Sequence, residues 1–197
     1  MLDTGHTEPR IYVACLASYN NGIMHGRWID ASADVDEMQE QVDEILRASP
    51  CPNVTVEHPE TGEEVRSAEE FAIHDFDGLP STLGEYCGLQ AVADYTEFIE
   101  AVEEAAGADA ADLAHAMVEN WHSVDQASTE IDNFAGIFST FREYADEAAD
   151  ELIACHTADG TAPQMLINYF DYESYARDLA HDMTVLDMPS GVAIFHA

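Results

Sequence analysis

The chain has 197 residues, 40 of them Asp or Glu, six Arg and no Lys, giving a formal net charge of −34. Nucleic acid is a polyanion, so a chain this acidic is a poor direct ligand for it and a credible partner for proteins that bind it. Hydrophobic residues make up 47%, close to the globular norm, which excludes a disordered acidic tail.

After a polar start, Arg10 to Leu16 is rich in β-formers, Tyr19-Asn20-Asn21-Gly22 supplies turn residues, and Ile23 to Asp30 resumes toward Trp28. This pattern predicts a hairpin. Ser32 is placed to cap a helix in which Val35, Met38, Val42, Ile45 and Leu46 recur at helical spacing, ending near Ser49-Pro50. The stretch from Cys51 to Ser67, rich in Pro, Glu and Thr, reads as an irregular excursion holding one short strand, Val54 to Glu57. Glu70 to Phe76 is the next expected strand, and a first α+β unit is expected to close near Gly78-Leu79-Pro80.

The middle of the chain is helical in pattern. Leu89, Val92, Thr96, Ile99 and Val102 mark one apolar face, and Leu113, Met117, Val118 and Trp121 mark another, with Gly107 between them. From Ser67 to Phe141 there is neither Lys nor Arg, against 16 acidic residues. Glu97, Glu100 and Glu104 fall three and four apart, which sets three carboxylates along one stripe, roughly 5–6 Å apart, at a cost of a few tenths of a kcal/mol per pair. A sequence selected for helix stability alone would interleave Lys.

From Ser128 the pattern returns to mixed α+β. A strand is expected near Phe134 to Thr140, then a helix carrying Phe141, Tyr144, Ala148, Leu152 and Ile153. Thr161-Ala162-Pro163 is expected to open a further helix, with Pro in its first turn. Tyr169, Tyr172 and Tyr175 lie three apart and read as one amphipathic helical face, and Thr184 to His196 reads as a closing hairpin around Pro189-Ser190-Gly191. The expected fold is therefore α+β, in three small domains. An N-terminal α+β domain spans 1–80 with its 50–68 excursion, a helical domain spans 81–127, and a C-terminal α+β domain spans 128–197.

Catalytic signatures are weak. The sequence has no GxGxxG, GxSxG or HExxH, and no lysine to complete a phosphate-binding GxxxxGK. His115 and His122, and the adjacent Cys155-His156, lack metal-ligand spacing, and among 40 acids a chance carboxylate pair is uninformative. No catalytic residue, metal or cofactor is therefore expected. Cys15, Cys51, Cys87 and Cys155 form no CxxC pair and no disulfide framework. With no apolar run near the roughly 20 residues that span a bilayer, and no signal-like start, the expectation is a soluble cytoplasmic protein with reduced thiols.

Three segments in order resemble the ArdA antirestriction family. Ile11 to Gly22, followed by Gly26-Arg27-Trp28, is similar to that family's opening hairpin with its Tyr-Asn-x-Gly turn and Gly-x-Trp. Glu70 to Phe76 with Gly78-Leu79-Pro80 resembles its Tyr/Phe-Ala-Ile-His-Asp-Tyr/Phe strand, and Pro163 to Leu179 resembles the antirestriction-motif region. The excursion between about residues 50 and 68 departs from the shorter members. The resemblance implies a non-enzymatic DNA mimic, elongated and curved. It would form a homodimer and occupy the DNA-binding groove of type I restriction-modification enzymes, protecting mobile DNA in a bacterial cytoplasm.

On this reading the carboxylates stand for phosphates. Duplex DNA carries one charge per roughly 1.7 Å, so a charge of −34 matches about 17 base pairs, on the order of 60 Å of helix. The expected mimic surface is Asp94, Glu97, Glu100, Glu103, Glu104, Asp109, Asp112, Glu119 and Asp125, continued by Glu143, Asp146, Glu147, Asp150 and Glu151. Pro163, Leu166, Tyr169, Phe170, Asp171, Tyr172 and Tyr175 are expected in the antirestriction-motif and dimer contact. The partner expected is the methyltransferase core of a type I enzyme, with no direct nucleic-acid or membrane binding. Three alternatives stay open: an acidic module for another basic protein, an enzyme with an acidic metal site, and general acidic adaptation to salt.

Overall fold

The computed structural model describes residues 9–155 and 164–197. The chain forms two compact units, residues 1–101 and 102–197, and the division falls inside a helix. The architecture is α+β, with small antiparallel sheets and helices in both units.

In the first unit, β1 (Arg10–Cys15) runs into one helical turn, α1 (Leu16–Tyr19), and then β2 (Gly26–Asp30). The strands pair antiparallel from Arg10↔Asp30 to Ala14↔Gly26, so the expected hairpin is present. Its second strand begins at Gly26 rather than Ile23, because the Ile23 N–H is already donated to the Ser18 carbonyl at 3.0 Å. Glycine is required at 26, since a Cβ there would lie 2.3 Å from the Val13 carbonyl oxygen.

The next helix, α2 (Val35–Arg47), is capped by Asp34, not Ser32: the Asp34 carboxylate accepts the N–H groups of Asp36 and Glu37. Ser32 serves one step earlier, accepting the Asp34 N–H and donating its hydroxyl to Glu37. The Cys51–Ser67 excursion is more regular than its composition suggests. β3 (Val54–Glu57) and β4 (Glu64–Ser67) pair antiparallel as a separate two-stranded sheet, with β4 against α2. β5 (Phe71–Asp77) flanks β1 on its other side, giving the order β2-β1-β5.

One face of this sheet meets α2. Ile11, Val13, Cys15, Met38 and Val42 are fully buried there, with Ile29, Ile45 and Ile73 nearly so. Each such side chain contributes roughly 1.5–3 kcal/mol of transfer free energy. The other face carries Tyr12 edge-on to Trp28, with ring centroids 5.7 Å apart, and Arg10 ion-paired to Asp77 at 2.5 Å.

A long helix, α3 (Gly88–Ala106), follows and crosses the division between the units. Leu89, Val92, Thr96 and Val102 are buried as their spacing predicts, whereas Ile99 is only half-buried. Ala93, Tyr95 and Phe98 are buried as well, so the helix hides more of its circumference than one apolar stripe.

In the second unit, a 3₁₀ turn at Gly107–Asp109 separates α3 from α4 (Ala110–Trp121), the break expected at Gly107. α5 (Val124–Ser128), β6 (Phe134–Phe138) and α6 (Phe141–Cys155) follow. Next come α7 (Gln164–Tyr169), α8 (Tyr172–Leu179), β7 (Met183–Met188) and β8 (Gly191–His196). The sheet order is β6-β8-β7, antiparallel throughout, and the closing hairpin is the one expected.

Phe195 is fully buried at the centre of this unit, 5.1 Å from the Trp121 ring and 5.3 Å from Phe134. α4 contributes Leu113, Ala114 and Met117 to the core, and α6 contributes Ala145, Ala149 and Ile153. The Gly191 backbone passes so close to β6 that a Cβ would sit 2.2 Å from the Phe138 carbonyl oxygen. The three tyrosines do not share one helix. Asp171 accepts the Ser174 N–H at 3.0 Å and its hydroxyl at 2.8 Å, which starts α8 and leaves Tyr169 at the end of α7. Pro163 and the expected helix opening at 161–163 lie outside the described residues, as does the side chain of Leu166.

Candidate functional site

Burial of the apolar faces decides where the acids can go. On α3, Asp94, Glu97, Glu100, Glu103 and Glu104 are all exposed. These five carboxylates lie within eleven residues, ten steps of 1.5 Å or about 15 Å of helix axis, so their mean axial interval is roughly 4 Å. One strand of duplex DNA presents a phosphate about every 3.4 Å. Asp94 is steadied by a neutral partner, the Gln90 amide at 2.7 Å, which keeps its charge uncompensated.

The following segment adds Asp109, half-buried in the 3₁₀ turn, and the exposed Asp112, Glu119 and Asp125. On α6, Glu143, Glu147, Asp150 and Glu151 are exposed and Asp146 is half-buried. These five acids lie within nine residues, eight steps or about 12 Å of axis. Two are held by hydroxyls. Glu143 accepts the Ser139 hydroxyl and, at 3.0 Å, its N–H, which holds the carboxyl below the usual range. Asp150 accepts the Tyr172 hydroxyl at 2.5 Å, and that bond is the first cause of a phenol pushed up from its ordinary value.

The cations are spent elsewhere. Arg10 pairs with Asp77, Arg27 with Glu44 at 2.7 Å, Arg47 with Asp43 at 3.9 Å and Arg177 with Asp178 at 3.7 Å. Arg66 donates to the Pro52 carbonyl at 3.1 Å. Among the described residues, the only expected surface acid with a cationic partner is Asp146, bound by Arg142 at 2.7 Å.

Helix polarity sharpens the contrast. Helices α2 and α8 end in Arg47 and Arg177, where a cation favours the helix dipole. Helices α3, α4 and α6 have no basic residue in the last turn, and Glu103, Glu104 and Glu119 stand at the ends of α3 and α4. Each such acid opposes the dipole by about 0.3–1 kcal/mol at low salt. These three acids thus sit where helix stability disfavours them, whereas Asp112, Asp125 and Glu143 lie in first turns, where the dipole favours a negative charge.

The expected contact segment is mixed. Tyr169 is 86% exposed and Met165 on the same helix is 67% exposed. Phe170, Tyr172 and Tyr175 are half-buried in one aromatic cluster, with Phe170 4.9 Å from the Tyr172 ring and 5.5 Å from Tyr175. Asp171 is occupied as the cap of α8, and its two bonds from Ser174 hold its carboxyl below the usual range. Among the described large hydrophobic side chains of this segment, Tyr169 is the most exposed.

Sequence reasoning passed over Glu57, Glu60, Glu63 and Glu64, which are exposed on the β3–β4 hairpin and its turn. The signal was the alternation of half-buried Val54, Val56 and Val65 with exposed Thr55, Glu57, Glu64 and Arg66, a period of two. Among the described residues no group of three or more His, Cys, Asp or Glu is placed to hold a metal ion. No described helix is long and apolar enough to cross a membrane.

A search among curated proteins finds no match to the chain. The family model for the antirestriction protein (ArdA) matches residues 11–193 of the 197, and the chain belongs to that family.

Proposed function

We propose that this antirestriction protein is a DNA mimic that inhibits type I restriction-modification enzymes by occupying the DNA-binding groove of their methyltransferase core. The observation that carries the reading is the set of exposed carboxylates on α3, α4 and α6, none of which has an arginine partner among the described residues. A groove that grips DNA must be lined with Lys and Arg, and fixed carboxylates at near-phosphate spacing offer the same countercharge without the cost of bending a duplex. The protein acts by binding, as a homodimer in the cytoplasm, with the α7–α8 segment in the dimer contact through Tyr169.

The test is inhibition of a purified type I enzyme together with displacement of labelled DNA from its methyltransferase core. Displacement that weakens as salt is raised supports the reading. Inhibition that leaves the DNA bound sinks it and favours an acidic module acting at another basic surface.

A further inference from the structure

Two segments singled out in the sequence take no part in the acidic helices: the Tyr19-Asn20-Asn21-Gly22 turn and the Ile73-His74-Asp75-Phe76 stretch of β5. Tyr19 and β5 meet at an open surface cleft of about 380 Å³, lined by Tyr19, His74, Asp75, Phe76, Ser81 and Glu85. The Tyr19 ring stands edge-on to His74, with centroids 5.0 Å apart. Glu85 is pinned twice. Its carbonyl accepts the Ile73 N–H at 3.1 Å, and its Oε1 lies 3.1 Å from His74 Nε2. Asp75 is exposed, and its Oδ1 accepts the Phe76 N–H at 2.9 Å.

Aromatic rings and two acidic residues in one cleft, with no arginine in its lining, suit a planar cation. The same unit already holds one in this manner: the Arg10 guanidinium lies 5.6 Å from the Trp28 ring centroid while paired to Asp77. We propose that the Tyr19–His74–Glu85 cleft receives the guanidinium of an arginine side chain projecting from the protein partner. Arginine fits better than lysine because a flat guanidinium can stack on Tyr19 or Phe76 while its fork meets Glu85 or Asp75. The proposal rests on the reading that the partner is a basic DNA-binding protein. It adds a shaped anchor of the kind that dominates interfaces to a contact otherwise spread over many charges.

The first test uses methylguanidinium, titrated into the full chain at constant ionic strength and followed by NMR. Saturable shifts of the Tyr19, His74 and Phe76 rings are expected, weakened at least fivefold in Glu85→Gln. Shifts that never saturate, or that saturate equally in Glu85→Gln, overturn the proposal. In inhibition of a type I enzyme, Glu85→Gln and Tyr19→Ala are each expected to weaken potency at least tenfold, and Glu97→Gln alone less than threefold. If Glu85→Gln inhibits like the parent while Glu97→Gln/Glu100→Gln/Glu104→Gln is weakened, the cleft is refuted and the mimic reading stands. If the parent does not inhibit at all, the mimic reading fails, and the methylguanidinium titration still decides the cleft.

Discussion

Neutralising Glu97, Glu100 and Glu104 together should make the protein more stable and a worse inhibitor, two changes of opposite sign from one perturbation. All three side chains are exposed on α3, and among the described residues none has a cationic partner. Glu97–Glu100 and Glu100–Glu104 are like-charge neighbours on one helix, each costing about 0.2–0.5 kcal/mol, and Glu104 opposes the helix dipole by about 0.3–1 kcal/mol. Their replacement by Gln should therefore raise unfolding free energy by roughly 1 kcal/mol, read as a higher urea midpoint at unchanged slope. If each carboxylate meets a cation at the rim of the enzyme groove, the loss in binding is about 0.2–1 kcal/mol per contact, or roughly 3- to 150-fold in total. The assays are urea unfolding and inhibition of a type I enzyme, both at low and at physiological salt. A variant that gains stability and inhibits as well as the parent would show that the stripe is a solvated face with no share in binding.

Three further predictions rest on other parts of the molecule. Gly191→Ala should destabilise by about 2–3 kcal/mol, since the added Cβ would meet the Phe138 carbonyl oxygen at 2.2 Å, and chemical denaturation reads this directly. Asp171 has its pKa lowered by the bonds from Ser174, so its charge stabilises the fold at pH above its unfolded value and that contribution is lost as pH falls through the folded value. Asp171→Asn should accordingly be less stable than the parent near neutral pH, with the gap closing below about pH 4; a gap independent of pH contradicts the assignment. Tyr169→Ala should shift the sedimentation profile toward monomer, whereas Tyr172→Phe should not, because Tyr169 is 86% exposed and Tyr172 is engaged with Asp150 and Phe170.

Much of the fold was readable because its signals are local. The period of Met38, Val42 and Ile45, the glycine at 107 and the turn at Pro189-Ser190-Gly191 each act within a few residues, and each marks the element found. What escaped depended on competition or on distant partners. Ser32 and Asp34 are both good caps, and only the conformation of the chain shows that Asp34 sits at the helix start. The β3–β4 hairpin was hidden by Pro and Glu, and its valines are only half-buried, so its alternation is shallow. The tyrosines at 169, 172 and 175 have helical spacing, but the intervening Asp171 caps a new helix, a stronger local preference than the spacing.

The candidate site was legible as composition and invisible as bookkeeping of charge. Spacing alone placed Glu97, Glu100 and Glu104 on one stripe, yet spacing along the chain does not show that Arg10 and Arg27 are taken up by acids outside their own elements. The structure places Arg10 and Arg27 on sheet strands and pairs them with Asp77 and Glu44, both far away in sequence. The cleft beside His74 was likewise unreadable, because Tyr19, His74 and Glu85 come together only through the pairing of β1 with β5 and the Ile73–Glu85 backbone bond.

On the proposed function the carboxylate surface and DNA compete for one groove. Titration of the protein against a type I methyltransferase at several fixed concentrations of labelled DNA decides whether they do. Mutually exclusive binding predicts that the half-displacing concentration rises in proportion to DNA concentration and also rises with salt. A half-inhibiting concentration that ignores the DNA level, or a stable ternary complex of enzyme, DNA and inhibitor, would contradict it.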